Sequence, residues 1–471
     1  MKTPAISNIK TKIKPRLTEV ERQAQELAAQ NYPGLPARMA AIVILSEVAG
    51  AGHSLDERFG SEPPHARLAG LDPRDRSLAR SIATVAMRRL GSIRHALSRL
   101  LERGLPKQSG LLEWILVAGA AQILFLDVPD HAAVDLSVRA ARLDPKTLPF
   151  AALINGVLRN LARDKEAAIA GCTALEQDTP AWLAARWRKT YGAEAAEAIA
   201  RAHGEEPTLD LTVKSDAPGW ALKLGGIVLP TGSVRLSSHA PVSELEGYGE
   251  GQWWVQDAAA ALPARLLNAM PGERIADFCA APGGKTSQLA SLGADVVAID
   301  RSAERLKRLA ANLERLNLTA ETQVADATSF RAAPFDGILV DAPCTSTGTI
   351  RRHPDVAWTK RASDIPALAA LQAKILDHAA SLLRPGGRLV YCVCSLEPEE
   401  GEMQIAALLR RNPDMVRLPV TPDEVGGLAM CLNGAGELRT LPNFLALGEP
   451  RLSGMDGFFA ARLVRRAEQN G

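Results

Sequence analysis

A chain of 471 residues, 46% hydrophobic and 23% charged, has enough apolar material for about two to four separate cores. No apolar run is long enough to cross a bilayer and Met1 to Arg16 lacks a signal-peptide core, so a cytoplasmic protein without membrane contact is expected. The six cysteines, at 172, 279, 344, 392, 394 and 431, form no C-x-x-C pair and no even framework, which argues against structural zinc and disulfides and leaves no metal expected.

The net charge of +2 is unevenly spread: residues 1–165 hold 24 Lys and Arg against 16 Asp and Glu, and the remainder 31 against 37. A basic front half suits a polyanionic partner, although a merely solvated surface satisfies the same pattern. In chain order, residues 1–36 are polar and basic and read as an arm with some helix around Glu19 to Ala29. From 37 to 165 the apolar spacing is helical, with helices predicted at 38–51, 76–90, 92–104, 110–126, 131–142 and 147–163. Arg74, Arg76, Arg80, Arg88, Arg89, Arg94, Arg99 and Arg103 recur at helical intervals and would suit phosphate oxygens; solvent-facing arginines are the plainer alternative.

Four segments in this region resemble the NusB family of helical RNA-binding proteins: Leu71 to Arg76, Met87 to Leu90, Leu124 to Val134 and Ile154 to Arg159. The resemblance implies RNA or ribonucleoprotein docking by residues 37–165. Residues 166–240 read as a small mixed linker domain, with Trp182, Trp187 and Tyr191 on a helix and a strand at Leu209 to Val213. Those aromatics are expected in a core rather than as base-stacking platforms.

From 241 to 471, short β-rich runs alternate with helices, which predicts a doubly wound α/β domain with a parallel sheet and helices on both faces. The runs are Arg274 to Phe278, Asp295 to Ile299, Thr322 to Val324, Asp336 to Val340 and Arg388 to Val393. Ligands of such sheets bind beyond the carboxyl ends of the strands. The residues that converge there are Cys279 to Lys285, Asp300, Asp326, Asp341 with Cys344, and Cys394.

Cys279-Ala280-Ala281-Pro282-Gly283-Gly284-Lys285 has the glycines for close backbone approach to a ligand and leads into a helix. Gly284-Lys285-Thr286 mimics the end of a Walker A loop, but Cys279 stands where that motif needs its first glycine, and G-x-G-x-x-G is absent. Asp300 follows at the interval at which an acidic residue meets ribose hydroxyls, so a nucleoside ligand is expected, with Asp326 near an adenine amino group; a helix N-cap is the alternative for either. Period-two alternation puts Cys392 and Cys394 on one face, with only Cys394 at the strand mouth.

Asp277 to Thr286, Asp341 to Cys344, Ile350 to Asp355, Cys394 to Glu400 and Asp456 to Ala460 together resemble the RNA (cytosine-5) methyltransferase family across about residues 241–465. With the NusB-like segment in front, the chain is similar to bacterial enzymes that methylate 16S ribosomal RNA. The resemblance implies Cys394 as covalent nucleophile, Cys344 in product release, Asp341 on the base with Lys285 assisting, and Arg351, Arg352 and His353 near RNA phosphates. It implies S-adenosyl-L-methionine on Cys279, Ala280, Ala281, Pro282, Gly283, Gly284 and Lys285, with Asp300, Asp326 and Asp341 around it. Thr345-Ser346 departs from the usual Ser-Gly of that loop, and Cys392 stands where Ser is usual. A transfer RNA substrate, a non-catalytic RNA-binding assembly factor and an ATP-dependent enzyme are the other readings.

Overall fold

The structure, a computed structural model, describes residues 32–60, 63–237 and 241–467. The arm expected over residues 1–36 lies almost wholly outside the described residues. Chain contacts divide the protein into two compact units, one of residues 1–47, 57–86 and 96–168, the other of 48–56, 87–95 and 169–471. Among the described residues no helix is long and apolar enough to cross a membrane.

The first unit is helical. Its principal helices are α1 (Leu35–Ala51), α2 (Leu55–Phe59), α3 (Pro73–Arg88), α4 (Leu90–Leu100), α5 (Leu112–Phe125), α6 (Asp130–Leu143) and α7 (Ala151–Arg163), some of whose ends fall in the other unit. Helix α5 is apolar all round, and eleven of its fourteen residues are buried, which makes it the centre of the core. Helix α7 is amphipathic and buries Ile154, Val157, Leu158 and Leu161. A side chain at Gly119 of α5 would meet Leu158 at 2.6 Å and the Ser137 hydroxyl at 2.9 Å, so glycine there permits the close approach of three helices.

The second unit contains two sheets. After helices α8 (Ala181–Tyr191) and α9 (Ala193–Gly204), strands β1 (Asp210–Val213), β2 (Gly226–Val228), β3 (Val234–Leu236) and β4 (Trp253–Val255) form an antiparallel sheet in the order β2-β3-β1-β4. Trp187 is fully buried and Trp182 and Tyr191 pack partly buried in the same cluster, so these aromatics form core and not a stacking surface.

The larger sheet runs β10-β12-β9-β8-β5-β6-β7, with β11 paired to β12. Its strands are β5 (Arg274–Phe278), β6 (Asp295–Asp300), β7 (Glu321–Val324), β8 (Phe335–Asp341), β9 (Leu383–Val393), β10 (Met415–Arg417), β11 (Leu438–Arg439) and β12 (Phe459–Arg465). Strands β5 to β9 are mutually parallel, whereas β12 lies antiparallel to β9 and β10 and β11 antiparallel to β12. The five runs read from the sequence do form the parallel sheet expected of them, and the antiparallel strands from the tail after the last β-helix-β repeat make the whole sheet mixed. Helices α10 (Gly284–Ser291), α11 (Ala303–Arg315), α12 (Asp364–Ser381) and α13 (Glu402–Arg411) are the longer helices of this part of the chain. Alternate strand residues feed two cores: Phe278, Ile338, Val340, Tyr391 and Val393 enter one, and Ile275, Leu339, Val390 and Cys392 the other.

Asp210 of β1 and Arg235 of β3 are both buried and joined by two hydrogen bonds, Nε to Oδ1 at 2.6 Å and Nη2 to Oδ2 at 2.7 Å. Arg235 Nη1 also donates to the carbonyls of Leu452 and Gly454, and Asp210 accepts from the Ala258 amide. Arg235→Met strands the carboxylate without its partner and is expected to destabilise the protein by about 3–5 kcal/mol. The double variant Asp210→Leu with Arg235→Met is expected to recover much of that loss, as read from urea midpoints.

Candidate active site

Strand register places the chemistry. Phe278 of β5 stands level with Ile299 of β6 and Val340 of β8, and Asp341 of β8 level with Cys392 of β9. The residues that follow, Cys279, Asp300, Asp341 and Cys394, thus emerge along one edge of the sheet, and β5 is the point from which successive strands run in opposite directions.

Two thiols meet at this edge. Cys344 Sγ and Cys394 Sγ lie 3.5 Å apart, both partly buried and both free. Their segments are stitched together: the Gly348 amide donates to the Cys394 carbonyl at 3.0 Å and the Gly457 amide to the Gly348 carbonyl at 2.8 Å. A side chain at Gly348 would strike the Gly457 carbonyl at 1.9 Å, so only glycine allows the loop to lie against that backbone.

The two sulfurs differ electrostatically. A hydrogen bond from Cys344 holds the Cys394 thiol below its ordinary range, against the opposing effects of burial and Asp341 and with help from Ser346 and Lys285. The same hydrogen bond, then burial, the charge on Cys394 and last the nearby Glu400 charge, push Cys344 well up. Burial pushes Cys279 to about 12 and Cys431 to about 11, and burial followed by Asp341 pushes Cys392 well up. Among the thiols with a resolved shift, Cys394 alone moves toward the thiolate, which separates it from Cys392 two residues away.

Lys285 on α10 donates to Asp341 Oδ2 at 2.8 Å, and its ammonium lies 5.1 Å from the centre of the Phe458 ring. Burial pulls this ammonium down, but Asp341 and the neighbouring thiols Cys392 and Cys394 hold it above its ordinary value. Asp341 Oδ1 lies 3.5 Å from Cys392 Sγ. Asp277, fully buried, accepts from the Thr286 hydroxyl at 2.6 Å, and desolvation raises its carboxyl to about 7.

The loop from Cys279 to Gly284 turns sharply, with Cys279 at φ +61° and Gly283 at φ +105°. A side chain at Gly283 would meet Leu309 at 2.7 Å. Asp300 is buried; its Oδ2 accepts from the Ala281 amide at 3.2 Å and its Oδ1 from the Ser302 amide at 2.9 Å, which joins the end of β6 to the loop after β5. Asp326 is exposed and accepts with Oδ1 from the amide and hydroxyl of Thr328, at 2.8 and 2.7 Å. The Ala325 amide donates to the Asp300 carbonyl at 3.2 Å, so the two aspartates sit on neighbouring strand ends, but Asp326 caps its own turn.

Ser346 has φ +59°, the left-handed backbone that suits the glycine usual in this loop. The departure at this position leaves the turn in place, at a cost of about 1–2 kcal/mol. The basic residues correct the sequence reading. Arg351 is buried and donates to the Ser453 carbonyl, Arg352 pairs with buried Asp456, and His353 Nδ1 lies 2.8 Å from Asp56. Arg88 is buried too and donates to the Arg351 carbonyl at 2.8 Å. Arg88 and Arg351 are thus withdrawn from phosphate, because a charged side chain that loses water must find a protein partner, whereas Arg352 and His353 keep exposed surface beside their partners.

Sequence reasoning gave no role to Glu400, Thr345 or Ser395. Glu400 is fully buried and receives hydrogen bonds from the Thr345 amide and hydroxyl, the Ser395 hydroxyl and the Gln372 amide group. A carboxylate six residues beyond the cysteine in Cys394-Ser395-Leu396-Glu397-Pro398-Glu399-Glu400 was the available signal, but three glutamates share that stretch.

Residues 264–464 match the family model described as 16S rRNA methyltransferase RsmB/F, and residues 35–163 match the NusB family. Ribosomal RNA small subunit methyltransferase B of Cronobacter sakazakii is 36% identical over 414 residues, covering 83% of this chain and 91% of that protein. The protein of the same name from Vibrio cholerae is 36% identical over 408 residues, covering 83% and 92%. The solved structure of PH0851, at 23% identity, superposes with a TM-score of 0.68 over 91% of this chain and 98% of its own, a likeness of fold. A methyltransferase homolog protein from Pyrococcus horikoshii is 28% identical with a TM-score of 0.50, over 60% of this chain and 94% of its own. By this similarity along most of its length, the chain belongs to the RsmB/F family of 16S rRNA methyltransferases, with a NusB-family segment at its front.

Proposed function

We propose that the protein methylates carbon 5 of a cytosine in small-subunit ribosomal RNA through a covalent adduct on Cys394. The observation that carries this reading is the pair of sulfurs 3.5 Å apart on neighbouring strand ends, with the Lys285–Asp341 pair beside them. A single activated thiol would suit many reactions. Two thiols with opposite ionisation suit one that must both add a sulfur to the substrate and take a proton back from it.

The donor set fits S-adenosyl-L-methionine. Buried Asp300 supplies a carboxylate for ribose hydroxyls, the loop Cys279 to Gly284 brings bare backbone close, and the first amides of α10 are free of intrahelical partners. Asp326 lies on the adjoining strand end for the adenine, and Asp341 faces the methionine end. Bound there, the cofactor supplies a methyl group on a sulfonium, an electrophile that an unactivated cytosine does not capture.

The Cys394 thiolate adds to carbon 6 of the base, which places the electron pair on carbon 5 as an enamine. Asp341 holds the base at ring nitrogen 3 through a shared proton, which moves onto the nitrogen as the thiolate adds and returns as Cys394 leaves, and Lys285 beside it supplies positive charge where electron density builds. In the adduct the Cys394 sulfur is uncharged, so the interaction that kept Cys344 a thiol is gone; Cys344 gives its proton to solvent and, as thiolate, becomes the available base. Cys344 takes the proton from methylated carbon 5, the electron pair restores the double bond, and Cys394 leaves as thiolate. The target base must be unstacked to reach the sulfurs, which favours a loop or bulge, and the NusB-family segment docks the RNA that presents it.

Cys394→Ala is expected to abolish 5-methylcytosine formation on 16S ribosomal RNA while leaving cofactor binding by calorimetry within about twofold of wild type. Cys344→Ala is expected to accumulate a protein–RNA adduct that survives denaturing gels. Full methylation by Cys394→Ala defeats the proposal.

The pH dependence has a definite sign. A thiol held below its ordinary value is deprotonated earlier as pH rises, so the acid limb for alkylation of Cys394 should lie below that of a free cysteine. Cys344→Ala removes the largest stabilising contact and should move that limb to higher pH, measured as iodoacetamide labelling rate against pH.

A further inference from the structure

Buried carboxylates are costly unless donors replace their water, and an unneeded one is seldom retained. Glu400 has no exposed surface, and all four groups that donate to it are neutral. Its Oε1 accepts from the Thr345 amide at 3.0 Å and from Gln372 Nε2 at 3.1 Å. Its Oε2 accepts from the Ser395 hydroxyl at 2.6 Å and from the Thr345 hydroxyl. Thr345 follows Cys344 directly and Ser395 follows Cys394 directly, so one side chain grips the residue after each thiol.

The grip is itself fixed. The Tyr391 hydroxyl donates to the Glu400 carbonyl at 2.6 Å, Gln372 Nε2 donates also to the Pro343 carbonyl at 2.9 Å, and Arg439 Nη1 donates to the Ser395 carbonyl at 2.6 Å. Arg186 of α8 pairs with both Glu397 and Glu399 in the same loop, and the Tyr191 hydroxyl bonds the Leu396 carbonyl. These contacts come from α8, α12, β9 and β11, elements far apart in sequence.

We propose that Glu400 is a positioning residue of this site, a buried anion that ties the loop after Cys344 to the strand end after Cys394 and fixes the gap between the two sulfurs. The inference rests on the reading of Cys394 as nucleophile and Cys344 as its proton partner. Its charge acts with its geometry. Cys344 faces Glu400 and Cys394, and Tyr391 lies beside it; Cys394 faces Cys344, Asp341, Lys285 and Arg352. The hydrogen bond from Cys344 with Lys285 and Arg352 on the Cys394 side, opposed by Asp341, and the Glu400 charge on the Cys344 side assign the proton to Cys344 and the anion to Cys394.

The test uses the full-length protein without RNA, alkylated with iodoacetamide over a pH series, the modified cysteines being mapped by mass spectrometry. Wild type should label at Cys394 ahead of Cys344. Glu400→Gln removes the charge, and the ratio of Cys394 to Cys344 labelling should fall about tenfold, the effect of one pKa unit. Its single-turnover methylation should fall roughly 100-fold with cofactor binding unchanged, the loss expected when reacting groups shift by about an ångström. Glu400→Asp keeps the charge but withdraws the oxygens, so it should retain the labelling ratio and lose rate. A Glu400→Gln protein that labels like wild type overturns the proposal, whatever its rate. Should that variant not fold, Thr345→Val, which deletes one donor, should lower the single-turnover rate about tenfold, and an unchanged rate overturns the proposal equally. Methylation surviving in Cys394→Ala would instead remove the nucleophile assignment while leaving the labelling ratio as measured.

Discussion

Everything at this site depends on the register of three neighbouring strands. Phe278, Val340 and Tyr391 lie level across β5, β8 and β9, so the loops that follow begin at one height above the sheet. A slip of one residue along β9 would exchange the faces of all its side chains, sending Tyr391 and Val393 to the side now occupied by Cys392 and Cys394. The two cores prevent this, because each face of β9 is filled by aliphatic and aromatic side chains that fit one register. The spacing of two sulfurs is thus set by hydrophobic packing well below them.

The antiparallel strands complete that constraint. Strand β9 is not an edge: β8 covers one side and β12 the other, with Cys392 opposite Ala460 and Val393 opposite Phe459. Both sides of the backbone leading to Cys394 are therefore hydrogen-bonded, and its carbonyl accepts from Gly348 at the point where the strand ends. The segment before β12 contributes as well: Asp456 anchors Arg352, Gly457 bonds Gly348, and Phe458 lies beside Lys285. A tail that adds nothing to the β-helix-β alternation thus supplies one wall of the site.

The alternation itself was plain in the sequence, because five apolar runs each lead into a polar or sulfur-bearing residue, whereas the strand order was not. The longer helices of the first unit were equally legible from periodicity, to within a few residues at their ends, whereas the five residues of α2 were not. Strands β10 and β11 were not, since two or three residues carry no pattern of their own. Arginine was the least legible residue type. Arg88 and Arg351 stand at positions that suit phosphate contact, yet both are buried and bonded within the protein, and burial is a property of the fold rather than of spacing. Ser346 shows the converse: a turn normally given to glycine is kept by serine because the contacts on either side determine the backbone.

Several polar groups here pay no evident dividend in stability. Asp277 Oδ1 and Asp456 Oδ1 are buried without a hydrogen-bond partner, Cys279 and Ser346 hold left-handed backbone, and the Glu400 carboxylate is solvated only by neutral donors. Each carries a local cost of one to a few kcal/mol by order of magnitude. They lie close together, along the carboxyl edge of a sheet whose interior is otherwise apolar and well packed. A rigid sheet can hold such groups in place because its stability comes from elsewhere. Reactive groups fixed before substrate arrives need no reorganisation during the reaction, and the same absence of solvent that makes them costly strengthens the fields they exert on one another.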